Sequence, residues 1–170
     1  FMDNVRIPAT NMLGKEGQGW QVAMTTLMHE RMASGGSGED YGPHPRRLME
    51  LLGACKVRGR PAIEDSAIRQ QFARVYIEGM SVRYSGYRRL TRLSRGQVPG
   101  PEGSAGKFMS TDMARHAVEL ALLVEGLAGA VAEGSEYAVA NGTWQKALLE
   151  IPGATVGGGS DEILKNIVGE

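Results

Sequence analysis

Apolar residues recur at steps of three and four along three stretches of this chain, and each stretch predicts a long helix. In the first, Gly19 to Ser34, the residues Trp20, Ala23, Leu27, Glu30 and Ser34 share one stripe, so a carboxylate lies in line with three apolar side chains. That pattern turns Glu30 inward. The second starts near Asp65, a good N-cap, and runs to about Arg95. Ile68, Phe72, Val75, Tyr76, Met80, Tyr87 and Leu90 follow its helical period, while Arg69, Arg74, Arg83, Arg88, Arg89, Arg92 and Arg95 fill its other faces. The third follows the glycine and proline break at 96–106 and aligns Phe108, Met113, Ala117, Leu120, Val124 and Leu127. Shorter helical pieces are predicted at Arg46 to Lys56, with Leu48, Leu51 and Leu52 on one side, at Ser135 to Ala140, at Trp144 to Leu149, and after Ser160, which can cap the last one.

A period of two occurs only near the start, where Val5 and Ile7 alternate with polar neighbours until Pro8. It reads as the end of a strand whose partners lie elsewhere. The pattern therefore predicts an all-α fold, an antiparallel four-helix-bundle-like domain with a short β remnant at the N-terminus. Phe1 opens in mid-pattern without an initiator methionine, and Glu170 stops within a helix, so the expectation is a piece of a longer protein.

Composition narrows this picture. At 170 residues the chain is one ordinary domain, and nineteen basic residues balance nineteen acidic ones. A zero net charge gives no pull towards nucleic acid, and the aromatics of the arginine-rich second helix fall on its apolar stripe and not among the arginines. The longest apolar run, Ala117 to Leu127, is broken by Glu119 and Glu125, so no membrane insertion is expected. Cys55 is the only cysteine, which excludes an internal disulfide and suits a reducing, cytoplasmic setting. His44 stands between two prolines with no second ligand at metal spacing, and no metal site is predicted.

Two features carry candidate chemistry. A carboxylate on an apolar face costs several kcal/mol to keep charged, on the order of magnitude for burying ions, so Glu30 is expected either to be paired, protonated or employed or, with Arg31 near the helix end, to reach solvent. Arg31 follows it about 100° further round the helix. At the other end of the chain, three glycines at 157–159 precede Ser160, where backbone approach is close and the free N–H groups of a helix start favour an anion or a cofactor oxygen. The residues by themselves do not name a reaction.

Five stretches, taken in order, resemble the C-terminal helical domain of the acyl-CoA dehydrogenase family. F-M-D-N-V-R-I-P-A-T-N-M-L-G-K-E-G-Q-G-W is similar to the passage from that family's middle β domain into its helical domain. L-M-H-E-R at Leu27 to Arg31 resembles its substrate-contacting helix, R-P-A-I-E-D-S-A-I-R at Arg60 to Arg69 the start of its second long helix, and A-G-K-F-M-S-T-D-M-A at Ala105 to Ala114 the next. G-A-T-V-G-G-G-S-D-E-I-L-K-N-I-V-G-E resembles its closing segment.

The resemblance implies residues 1–17 as the end of a β domain and linker, residues 18–170 as the helical domain, and N-terminal helical and β domains outside this chain. It implies α,β-dehydrogenation of an acyl-CoA, in which a glutamate takes the α-proton while the β-hydrogen leaves as hydride to FAD. Most members carry that base just before a Gly-Thr or Gly-Ser pair, a position that is Gly158 here. A smaller group carries it on the first helix before an arginine, which matches Glu30 before Arg31. By the same resemblance Arg31 and Gly159 would contact substrate, and Ser160 and Glu162 would contact FAD. The family's arginine and phenylalanine that reach the flavin of a neighbouring subunit fall at Cys55 and Arg58, with Lys56 or Arg58 a substitute for the lost charge, and the glutamine and paired glycines of its third helix fall at Leu123, Gly126 and Leu127. The implied partners are an electron acceptor such as an electron-transfer flavoprotein and the other subunits of a homo- or hetero-tetramer. The departures at Cys55, Arg58 and Leu123 raise the alternative of a non-catalytic assembly subunit paired with a flavin-bearing partner. A chain without the β domain is expected to hold FAD poorly.

Overall fold

The computed structural model describes residues 1–34, 43–97 and 100–169. Its helices are α1 (Gly19–Ser34), α2 (Pro45–Ala54), α3 (Ser66–Ser94), α4 (Glu102–Glu125), α5 (Thr143–Val156) and α6 (Asp161–Gly169). A two-stranded antiparallel ladder pairs β1 (Lys56–Val57) with β2 (Arg60–Pro61), and its turn residues Arg58 and Gly59 take φ of +52° and +79°. Two left-handed residues are what a tight hairpin turn demands, and Gly59 meets that demand without strain.

The helix boundaries follow local chemistry. Asp65 Oδ1 accepts the backbone N–H groups of Ala67 and Ile68 at 2.9 and 3.2 Å, capping α3. His44, which has no metal partner in the sequence, caps α2 instead: its Nδ1 accepts the Arg46 N–H at 3.2 Å, with Pro45 as first helical residue. Ser160 Oγ accepts the Ile163 N–H at 3.4 Å and caps α6, as expected.

Helix α4 is the axis of the fold, since α1, α2, α3, α5 and α6 all pack on it. It can serve five neighbours because it is apolar on several sides, with Ala117, Val118, Leu120 and Ala121 all buried. Leu48 and Leu52 of α2, Phe72 and Val75 of α3, and Trp144 of α5 complete one contiguous core. The expected all-α bundle is what forms, and Leu48, Leu51 and Leu52 are buried together on α2 as their spacing predicts.

Several expectations change. No strand forms at Val5 and Ile7, because a strand needs a hydrogen-bonded neighbour and the chain offers none there; a short 3-10 turn, Ala9–Asn11, follows instead. The stripe of α3 is buried only at Ile68, Phe72 and Val75, while Tyr76, Tyr87 and Leu90 are exposed and Arg89 is buried. The second half of α3 runs beyond the core, so period alone no longer decides burial. Leu127 is 95 % exposed, since α4 ends at Glu125 and the chain turns off at Gly126. The piece expected at Ser135 to Ala140 is turns leading into a 3-10 stretch, Val139–Gly142, and α5 continues through Pro152 to Val156. Trp144 and Ala147 are buried in the core and Ile151 packs against it, and this anchorage outweighs the hydrogen bond that a proline removes.

The largest change is on α1. Trp20 is 77 % exposed and Met24, Leu27 and Glu30 are exposed as well; the helix rests on α4, with Val22 half-buried. The apolar stripe exists, but it faces away from the bundle.

Candidate active site

Glu30 stands on the last turn of α1, and its carboxylate comes to the loop between α5 and α6. A Cβ built on Gly158 would lie 3.9 Å from Glu30 Oε1. The two positions that the resemblance implies as alternative sites for one carboxylate, 30 and 158, thus come close in space. Gly158 has φ +67° and Gly159 φ +97°, conformations that glycine adopts readily and other residues do not. A side chain on Gly159 would also meet Leu164 Cδ2 at 3.3 Å, so this backbone lies close on α6.

The loop ends at the helix start that Ser160 caps, and Glu162 is exposed in the first turn of α6. Glu30, Gly159, Ser160 and Glu162 are therefore neighbours along one edge. Arg31 is the next residue of α1, and its side chain lies outside the described residues.

Beneath the loop is a group that the sequence did not single out. Lys107 Nζ donates to the carbonyls of Thr155 and Gly159 at 3.0 and 3.1 Å and to Asp161 Oδ1 at 2.6 Å, while the Thr111 hydroxyl donates to Asp161 Oδ2 at 3.1 Å. Lys107, Thr111 and Asp161 are all buried. The signal available was a lysine among small and apolar residues, A-G-K-F-M, but nothing local says which carboxylate it meets.

Lys56 belongs to a different place. It is exposed at the start of the hairpin, next to Cys55, and Cys55 feels the charge of Glu125 at the far end of α4. Residues 107 and 125 are separated by about 27 Å along a helix axis at 1.5 Å per residue. Lys56 and Ser160 consequently sit at opposite ends of α4 and do not form one site within one chain.

The Cys55 end has its own electrostatics. Glu125 is buried; its Oε2 accepts Gln145 Nε2 at 3.2 Å, and its Oε1 has no hydrogen-bond partner among the described residues. Burial pushes its carboxyl above the ordinary carboxylate range, and the Gln145 hydrogen bond partly offsets this. The Cys55 thiol is raised by burial first and by Glu125 second. Leu123, two residues before Glu125 on α4, is exposed. Cys55 and Glu125 offer a diphosphate no positive charge, and the exposed cations here, Lys56 and Arg58, stand at other positions of the hairpin than the one Cys55 fills. The α6 end offers a glycine-lined approach, a capping hydroxyl and a helix N-terminus, features that suit a cofactor oxygen, with Asp161 and Glu162 in the same first turn. Among the described residues no cluster of histidine, cysteine or carboxylate suited to a metal ion is found, and no helix is long and apolar enough to cross a membrane.

Comparison with known proteins agrees with this fold. The family model described as acyl-CoA dehydrogenase, C-terminal domain, matches residues 17–170. The acyl-CoA dehydrogenase IpdE1 of Mycolicibacterium smegmatis is 30% identical over 171 residues, which are 100% of this chain and 40% of that protein. Among solved structures, a steroid ACAD, Tcur3481-Tcur3483, superposes with a TM-score of 0.85 at 23% identity, over 99% of this chain and 42% of that one. The ChsE4-ChsE5 complex from Mycobacterium tuberculosis does so with a TM-score of 0.79 at 26% identity, over 99% of this chain and 43% of that one. The chain spans 40% to 43% of the length of three curated relatives that it matches.

Proposed function

The chain belongs to the acyl-CoA dehydrogenase family, as its C-terminal helical domain, and from that premise we propose that it serves the α,β-dehydrogenation of an acyl-CoA, with Glu30 as the base that takes the α-proton. One observation carries the reading: the Glu30 carboxylate lies beside Gly158, the place from which the more usual base of this family would project. A carboxylate carried at either position serves the same neighbourhood. The residue at 158 is glycine, so nothing competes with Glu30 for that space.

Thioester α-protons are weakly acidic, so the base must be strengthened by excluding water, and donors to the thioester oxygen must stabilise the developing enolate. Glu30 is exposed in this chain. In the whole protein a preceding β domain, of which residues 1–17 are the end, covers the face of α1 bearing Trp20, Met24 and Leu27, and the bound acyl group completes the desolvation. Arg31 and the Gly159 backbone contact the substrate. Ser160 and Glu162 hold FAD at the start of α6, and FAD when bound supplies the hydride acceptor. An electron-transfer flavoprotein is the proposed reoxidant, and the assembly is a homo- or hetero-tetramer.

A second reading is favoured by the Cys55 end. If a flavin is contacted by two chains, this chain supplies the Ser160 side, while at its other end Cys55 takes the place of the family's diphosphate-reaching arginine and leaves only the displaced charges of Lys56 and Arg58. A partner of unlike sequence would then bring the cationic side, an arrangement compatible with the pairing in the ChsE4-ChsE5 complex. In its extreme form the chain is a non-catalytic assembly subunit.

The test is anaerobic bleaching of the flavin in the full-length protein by a panel of short, branched, long and bulky acyl-CoAs, beside Glu30→Gln. Bleaching in the parent, with substrate binding but no bleaching in the variant, supports Glu30 as the base. A parent that purifies without flavin, and gains it only on mixing with a second subunit, supports the assembly reading.

A further inference from the structure

The connection between α5 and α6, residues 157–160, brings its backbone under the Glu30 carboxylate, and its two left-handed glycines carry no side chain that could anchor it. Such a turn is soft by itself. Its flanks are not. The Lys107 ammonium has three N–H donors, and the structure gives it three acceptors: Thr155 O, Gly159 O and Asp161 Oδ1. The two charged side chains are 11 % and 10 % exposed.

Each acceptor has a local reason to want this partner. Thr155 lies in the last turn of α5, where carbonyls lack intrahelical donors and the helix dipole favours a cation. Asp161 is the first residue of α6, where the dipole favours an anion, and Thr111, one turn along α4 from Lys107, satisfies its second oxygen. Gly159 O is in the turn itself. A buried ion pair is poor evidence for stability, because apolar residues of the same size would join three helices as well. Apolar residues would not fix the direction of two backbone carbonyls and a carboxylate on either side of a glycine turn.

We infer that Lys107 is a positioning residue for the proposed reaction: it clamps the α5–α6 turn, so that the backbone at 158–160 keeps its place against Glu30 and the bound thioester. The inference rests on the assignment of Glu30 as base. It extends that assignment to a side chain that touches neither substrate nor base.

The test uses the full-length flavoprotein with the acyl-CoA that bleaches the parent fastest. In Lys107→Met, kcat is expected to fall roughly 10- to 100-fold while KM changes less than about threefold, the mark of a displaced reacting geometry. Amide hydrogen exchange in 157–161 should speed up in parallel. Asp161→Asn keeps an oxygen in place and removes only the charge, so it should show the same split with a smaller loss, and it decides the question should Lys107→Met not fold. Parent kcat in a folded variant of either kind, or a loss confined to melting temperature, overturns the clamp. Glu30→Gln in the same assay separates the two claims. If it bleaches like the parent, the base assignment fails whatever the turn variants do; if it abolishes bleaching while both turn variants keep parent kcat, the clamp fails alone.

Discussion

At the scale of the residue, the sharpest constraints come from glycines in crowded places. Gly142 takes φ +70°, and a Cβ there would lie 2.6 Å from the Glu133 backbone nitrogen and 2.9 Å from its Cα. Neither atom can move aside as a flexible side chain could. Gly142→Ala is therefore expected to cost about 2–4 kcal/mol, from left-handed strain and overpacking together, read as a lower urea midpoint at unchanged slope. A wild-type midpoint in that variant would mean the 3-10 stretch before α5 is not packed as described. Glu30 shows the opposite case, since its meaning comes from a neighbour without a side chain. Replacing Gly158 with glutamate in a Glu30→Gln background would place a carboxylate next to the vacated one, although the φ of +67° at 158 opposes any side chain. Partial recovery of flavin bleaching is the outcome that fits two interchangeable positions for one base.

At the scale of the element, helix ends carry much of the specification. The Asp65 cap is half-buried and makes two hydrogen bonds, so Asp65→Ala should lower stability by about 1 kcal/mol without touching the site at α6. The C-terminal end of α4 is less comfortable: Glu125 puts a carboxylate at the negative pole of the helix, buried, with one oxygen lacking a hydrogen-bond partner among the described residues. Its folded-state pKa lies above its unfolded value, so the folded chain binds this proton more tightly. The stabilising contribution is fully present below the ordinary carboxylate range and is lost as pH rises through the raised value. Glu125→Gln, which is neutral at every pH, should therefore melt above the parent near pH 8, with the difference vanishing or reversing near pH 4. A gap that is constant with pH would show that Glu125 is ionised alike in both states.

At the scale of the whole molecule, apolar side chains remain uncovered on several sides, among them Trp20, Leu127, Leu149 and Val156. Exposure on this scale marks surfaces made for other domains or subunits. The 170-residue chain alone is expected to be helical by circular dichroism, to associate on gel filtration, and to elute colourless even after incubation with FAD; a yellow peak would show that the α6 end holds flavin unaided. Much of this protein was legible along the chain. The span of α1, the Asp65 and Ser160 caps, the buried face of α2 and the break before α4 all depend on residues within about one helical turn of each other, and that chemistry is written locally. Burial was not local. Tyr87 and Leu90 keep the helical period of Ile68 and Phe72 yet stay exposed, because period says only that a face is apolar and not that another element reaches it. The candidate site divides the same way. Glu30 before Arg31, and glycines before Ser160, stood out in sequence as separate features. That the Glu30 carboxylate comes to Gly158, that Lys107 finds Asp161 fifty-four residues away, and that Cys55 and Ser160 stand at opposite ends of α4 were decided only by how five helices pack around α4, since contacts across such separations depend on the fold as a whole and on no stretch of the chain alone.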